Sequence, residues 1–269
     1  MRPLFSRRTI RQWLKGEPHG YEEVPVGVVG WVLVYVILVV MIVLQAIITI
    51  LAHIPIGSQL LETGCRLYGR GGLGCFLRSA YFRTRLGHIG KDVLIDVGVT
   101  IVAPWSVSID DDARIDAYVS ILGSRKAQVH IGRWTYIASH CVINGAAGVY
   151  IGDAVAVGEG SMITSVAQVP GEASETLKSL SPQAPPGMVE LVEKPVVLAD
   201  LSSVGHHCTV FPGAVLAYGA LVGPQSYVEQ YIPFCAFALG SPAVVLGHRP
   251  TLLLPANRGT MTSEPSSLP

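Results

Sequence analysis

The stretch from Leu198 to Val228 reads LADLSSVGHHCTVFPGAVLAYGALVGPQSYV, and it decides the fold. Leu198, Val204, Val210, Leu216, Val222 and Val228 stand six residues apart without a slip. Four places after each of the first five comes a small residue: Ser202, Cys208, Ala214, Ala220, Ser226. Neither a helix, with its period of about 3.6, nor a half-buried strand, with its period of 2, gives a strict six. A three-sided coil does: each side is one hexapeptide, with the aliphatic pointing inward and the small residue filling the space beside a corner. Stacked coils then bury a continuous column that no single coil could bury alone.

The same pattern extends toward the N-terminus. It runs through Ile151, Val157 and Ile163, through Ile131, Ile137 and Ile143, through Ile109, Ile115 and Ile121, and back to Ile89, Ile95 and Ile101. Small or acidic residues follow many of these, as in Gly90, Asp96, Asp110, Asp116, Gly132, Gly152 and Gly158. The reading is a mainly β chain whose repeat region, 87–249, has about eighteen hexads and, at three per coil, about six coils. A Pro-, Ser- and Glu-rich interruption, 166–195, breaks the period and then rejoins it in register. Such an excursion loops out from a corner, and long loops in compact domains often carry function.

The 269 residues carry no formal net charge and only 14% charged side chains, so no basic face for nucleic acid is indicated. The apolar excess is local. Residues 26–56 contain no Asp, Glu, Lys or Arg, and a bilayer core needs roughly 20 apolar helical residues. A cleaved signal peptide is the alternative, but the run is long, starts late and lacks a small-x-small cleavage site. A membrane helix is the expectation, with Gln45, Thr49 and His53 forming a thin polar stripe. Arginines flank both ends of the run, which pulls both toward the cytoplasm and leaves spanning and re-entrant topologies open. A basic segment, 1–25, precedes it. Residues 57–86 read as an amphipathic helical segment, either on the membrane surface or packed on the first coil. A tail, 250–269, is rich in Pro, Ser and Thr. Cys141 and Cys208 occupy the small inward slot and read as core thiols.

The hexad pattern resembles the hexapeptide-repeat family, whose members fold as left-handed parallel β-helices and mostly act as trimeric acyltransferases. Lys194-Pro195 resembles that family's re-entry dipeptide, and Gly240-Ser241-Pro242-Ala243 resembles its terminal turn with Ser in place of Asn. The resemblance implies acetyl-CoA or another acyl-CoA as co-substrate, with no metal. A histidine would take the acceptor's proton as it attacks the thioester. Counting from Gly158-Glu159-Gly160-Ser161, the histidine of the sugar acetyltransferases falls on Gln168, and their acceptor-binding Asn and Asp fall on Ala138 and Ala146. The residues expected near CoA fall on Glu229, Gln230 and Val244.

Other histidines could substitute. His206 and His207 share one corner, so His207 is the expected base with His206 beside it; His140 and His130 are further candidates. Gly223, Pro224, Gly240 and Ser241 are expected to contact the pantetheine arm. Asp110, Asp111 and Asp112 read as a solvated turn, and no His-x4-His pair suggests a zinc site of the γ-class carbonic anhydrase kind.

The resulting expectation is a membrane-anchored homotrimer with its β-helix on the cytoplasmic face. It would transfer an acyl group from CoA to a hydroxyl or amine of an envelope saccharide or lipid-linked precursor. A catalytically silent trimeric scaffold on the membrane is the competing reading, favoured by Gln168, Ala138, Ala146 and Val244.

Overall fold

The computed structural model describes residues 5–6, 9–10, 28–54, 64, 72–169, 181 and 189–250. Most of the basic segment, most of 57–71, the centre of the 166–195 loop and the tail from 251 lie outside the described residues.

The repeat region is a parallel β-helix with three walls. The first wall holds seven parallel strands, from His88–Ile89 to Tyr231–Ile232. The second starts at Leu94–Ile95 and ends at Ala236–Gly240, closed by an antiparallel strand, Ala243–His248. The third has six strands, from Thr100–Val102 to Tyr227–Val228. The solenoid therefore winds about seven turns, one more than the hexad count. The extra turn escapes a period-six reading because Ile232 follows Val228 by only four residues. Ile232 and Ala238 are nevertheless fully buried.

Each inward aliphatic stacks on its equivalent one turn away. In the second wall Ile115 pairs with Ile137, Ile137 with Val157, Val157 with Val204 and Val204 with Val222. The step from Val157 to Val204 crosses the interruption, so the coil resumes as though the loop were absent. The loop leaves at the corner between third and first walls as an antiparallel hairpin, Val166–Val169 against Glu190–Glu193. Val196 re-enters on the backbone of Gly148, with N–H to O at 3.1 Å.

The small slots are filled as expected. Cys141 and Cys208 are buried and free. Burial pushes the Cys141 thiol up to about 11 and raises that of Cys208, which makes both inert packing groups.

An open solenoid end exposes unpaired backbone carbonyls. Here a helix, α2 (Gly72–Phe82), covers it. Arg78 is buried and donates from Nε to the Ile95 carbonyl at 2.8 Å, with Nη2 3.5 Å from Asp96. Ser79 donates to the Val93 carbonyl at 3.0 Å. So the C-terminal part of the 57–86 segment packs on the first coil. The long apolar helix, α1 (Val28–Ala52), packs in turn on α2 and on Leu94. Within α1 the expected polar stripe satisfies itself: Thr49 donates to the Gln45 carbonyl at 2.8 Å, and His53 Nδ1 lies 2.7 Å from the Thr49 carbonyl.

Candidate functional site

The six expected site residues come from three stretches of sequence, and they share one corner. This corner joins the second wall to the third. Its outermost position requires left-handed backbone, taken by Gly98, Tyr118, His140, Gly160, His207 and Gln225 on successive turns. Their side chains stack along the corner: the Tyr118 and His140 rings lie parallel, with centroids 5.3 Å apart. Gly160 leaves its place in the stack open, and the His207 imidazole lies on it, where a Cβ would collide with the ring.

His206 and His207 are both exposed. Nδ1 of His206 accepts the backbone N–H of Glu159, one turn away, at 3.1 Å. An N–H can only donate, so in neutral His206 the proton sits on Nε2. In that tautomer Nε2 of the exposed His206 ring is a hydrogen-bond donor. His207 donates its own N–H to the Glu159 carbonyl at 2.9 Å, while its ring nitrogens form no ion pair among the described residues.

Gly223 and Pro224 lie one turn further on, and the Gly240–Ser241 turn closes the same corner. Ser226 ties them together: its Oγ donates to the Gly223 carbonyl at 2.8 Å and accepts the Gly240 N–H at 3.1 Å. The Gly223 N–H is already given to the Ala238 carbonyl at 2.8 Å. Both glycine N–H groups therefore serve the fold, and the exposed groups left beside the histidines are Pro224 and Ser241.

Gln168 is elsewhere. It sits half-buried on the loop hairpin opposite Leu191, at the corner between the third and first walls. A whole wall of the coil separates it from His207. Ala146 stands at that same loop corner, whereas Ala138 is buried where the second wall turns. Beside the hairpin an open groove of about 630 Å³ is lined by Trp105, Ser124, Arg125 and Lys126 among others. Lys126 reaches Glu193 at the hairpin base, at 3.6 Å.

Sequence reasoning did not assemble a further cluster on the first wall. His88, Ser108, His130 and Tyr150 are in register on successive turns. Ser108 Oγ is 3.1 Å from His130 Nδ1, and Asp110 lies 3.8 Å from both His88 and His130. Residues 20 or 22 apart met here because each turn contains about that many; the turn length was the available signal. The neighbouring aspartates act as corner braces, Asp111 accepting the Lys91 N–H at 2.8 Å. Among the described residues no group of three or more His, Cys, Asp or Glu could hold a metal ion.

Solved structures share this architecture. An N-acyltransferase from Bacillus cereus, AntD, in an S84T form with dTDP and coenzyme A, superposes with a TM-score of 0.57 at 23% identity, over 63% of this chain and 87% of that one. The same enzyme with dTDP and 3-hydroxybutyryl-CoA gives 0.56 at 22% identity, over 62% and 86%. The chain has the hexapeptide-repeat fold. The chain also has a local sequence match. Over 66 residues, 24% of the chain, it is 35% identical to WbbJ of Escherichia coli (strain K12), named as an O-acetyl transferase of lipopolysaccharide biosynthesis. The match spans about a third (34%) of that relative's length. No protein-family model matches the chain.

Proposed function

We propose that the protein is a membrane-anchored, trimeric acyltransferase that moves an acyl group from acyl-CoA to a hydroxyl or amine of an envelope saccharide or lipid-linked precursor. One observation carries the reading: His206, His207, Pro224 and Ser241, drawn from separate stretches, converge on one exposed corner of a hexapeptide-repeat coil. The match to WbbJ supports a saccharide acceptor, and the likeness to AntD supports a CoA donor.

In the proposed reaction His207 takes the proton from the acceptor hydroxyl as its oxygen bonds to the thioester carbon. The Nε2–H of His206 donates to the developing oxyanion. The carbon–sulfur bond breaks, and the thiolate recovers the proton from His207 to leave as free CoA. Pro224 and Ser241 flank the pantetheine arm, and the partner protomer supplies the opposite side of the cleft. The anchor keeps the β-helix on the cytoplasmic face and raises the local concentration of a bilayer-held acceptor.

Thiol release from acetyl-CoA by detergent-extracted protein with candidate saccharides tests this. A His206→Ala/His207→Ala double variant should lose turnover; unchanged turnover removes the pair from the mechanism. A silent scaffold is the second reading, favoured by Gln168 being held in the hairpin ladder opposite Leu191. Millimolar CoA should raise the melting temperature of an enzyme and leave a scaffold unmoved.

A further inference from the structure

One stripe of the apolar helix α1 is packed on the protein body from Val34 to Ala52. Val34, Gln45, Ile48 and Ala52 are buried, and Ile37, Leu38, Met41 and Leu44 pack against the same cluster. These positions recur at helical spacing and form one stripe. From Val34 to Ala52 that stripe is about 27 Å long at 1.5 Å per residue. A hydrocarbon core is roughly 30 Å thick.

The body beneath the stripe is not apolar throughout. Phe5, Ile10, Phe76, Ala80 and Leu94 complete the contact, and the first coil's charges lie next to it. Asp92 accepts the Ser6 N–H and the Thr9 hydroxyl, both at 2.6 Å. Arg78 lies 3.5 Å from Asp96. A helix crossing the bilayer in this packing would carry Asp92, Arg78 and Asp96 to hydrocarbon depth, where ionised groups are costly.

The opposite face of α1 is exposed and apolar: Val32, Val36, Val39, Val43, Ile47 and Ile50 form a second stripe. An interfacial helix needs a polar side turned away from the lipid. Here the protein itself covers that side. We propose that α1 does not cross the membrane but lies in one leaflet, with its Val36–Val43–Ile50 face inserted and the β-helix standing on it. Both arginine-bearing flanks then remain on the same side, which agrees with the positive charge at each end of the apolar run. This inference rests on the membrane-anchored part of the proposed function and is independent of the acyl transfer.

The test uses the full chain with an epitope tag at each end, expressed in membranes and isolated as sealed inverted vesicles. The protein should stay with the vesicles through a high-salt wash and leave in detergent. Protease added outside should remove both tags, whereas right-side-out vesicles should protect both. Removal of one tag only means a crossing helix and overturns the in-plane placement, leaving the anchor intact. Recovery in the soluble fraction without detergent overturns the anchor as well. A Val39→Lys/Val43→Lys variant should shift at least tenfold toward the soluble fraction with its β-helix melting unchanged. Undiminished retention of that variant shows that this face is not inserted and overturns the proposal.

Discussion

The backbone N–H of Glu159 donates to Nδ1 of His206 across successive turns of the coil, at 3.1 Å. In the proposed mechanism that bond separates the roles of the two adjacent histidines. Holding Nδ1 as acceptor fixes the Nε2–H form of His206, a donor, and leaves His207 as the ring whose lone pair can take a proton.

His207→Ala should therefore lower kcat about 100-fold or more, the usual scale for losing a general base. His206→Asn keeps an acceptor for the Glu159 N–H while removing the Nε2–H, and should cost about 100-fold, the lower end of the scale for one oxyanion donor. Steady-state kinetics of the two variants, compared at saturating acetyl-CoA, check both losses.

Gly160 is the surface on which the His207 ring rests, and its φ is +70°. Gly160→Ala adds a Cβ that collides with the imidazole and places a side chain in left-handed backbone, at about 1–2 kcal/mol. Turnover should fall while the far-ultraviolet circular dichroism stays that of a β-helix. Full activity in this variant would separate the ring position from catalysis.

Tyr136 makes stability depend on pH in the alkaline range. Burial, and then donation from its hydroxyl to Asp116 Oδ2 at 2.7 Å, push it from 10 to about 12. The folded state holds the proton more tightly than the unfolded chain, so this contribution is full below pH 10 and is lost as pH rises toward 12. Melting temperatures across that interval should fall less steeply in Tyr136→Phe than in the parent protein.

Arg78 closes the open end of the solenoid. Arg78→Met keeps much of the volume but leaves the Ile95 carbonyl and Asp96 without their partner. The expected loss is about 1.5–3 kcal/mol, the range for a hydrogen bond to a charged group. Denaturant unfolding should show a lowered midpoint, with the early turns gaining hydrogen exchange before the later ones.

The amino-acid sequence determined the coil itself. A strict period of six from Leu198 to Val228 has one geometric solution, because inward aliphatics and small corner residues are local requirements repeated on every side. The same locality hid the seventh turn, where Ile232 keeps its place in the core after a step of only four residues. It also made the core thiols readable, since Cys141 and Cys208 each fill a slot defined by their own hexad. Contacts between turns were another matter. That Ser108 meets His130, that Ser226 joins Gly223 to Gly240, and that Gln168 stands on a different corner from His207 depend on how many residues each turn consumes. Insertions at the corners change that number from one turn to the next. The face that α1 turns to the body was marked in the sequence only by the thin polar stripe, of which Gln45 is buried; the rest of the helix is apolar, so packing of the first coil and α2 against it settled the side.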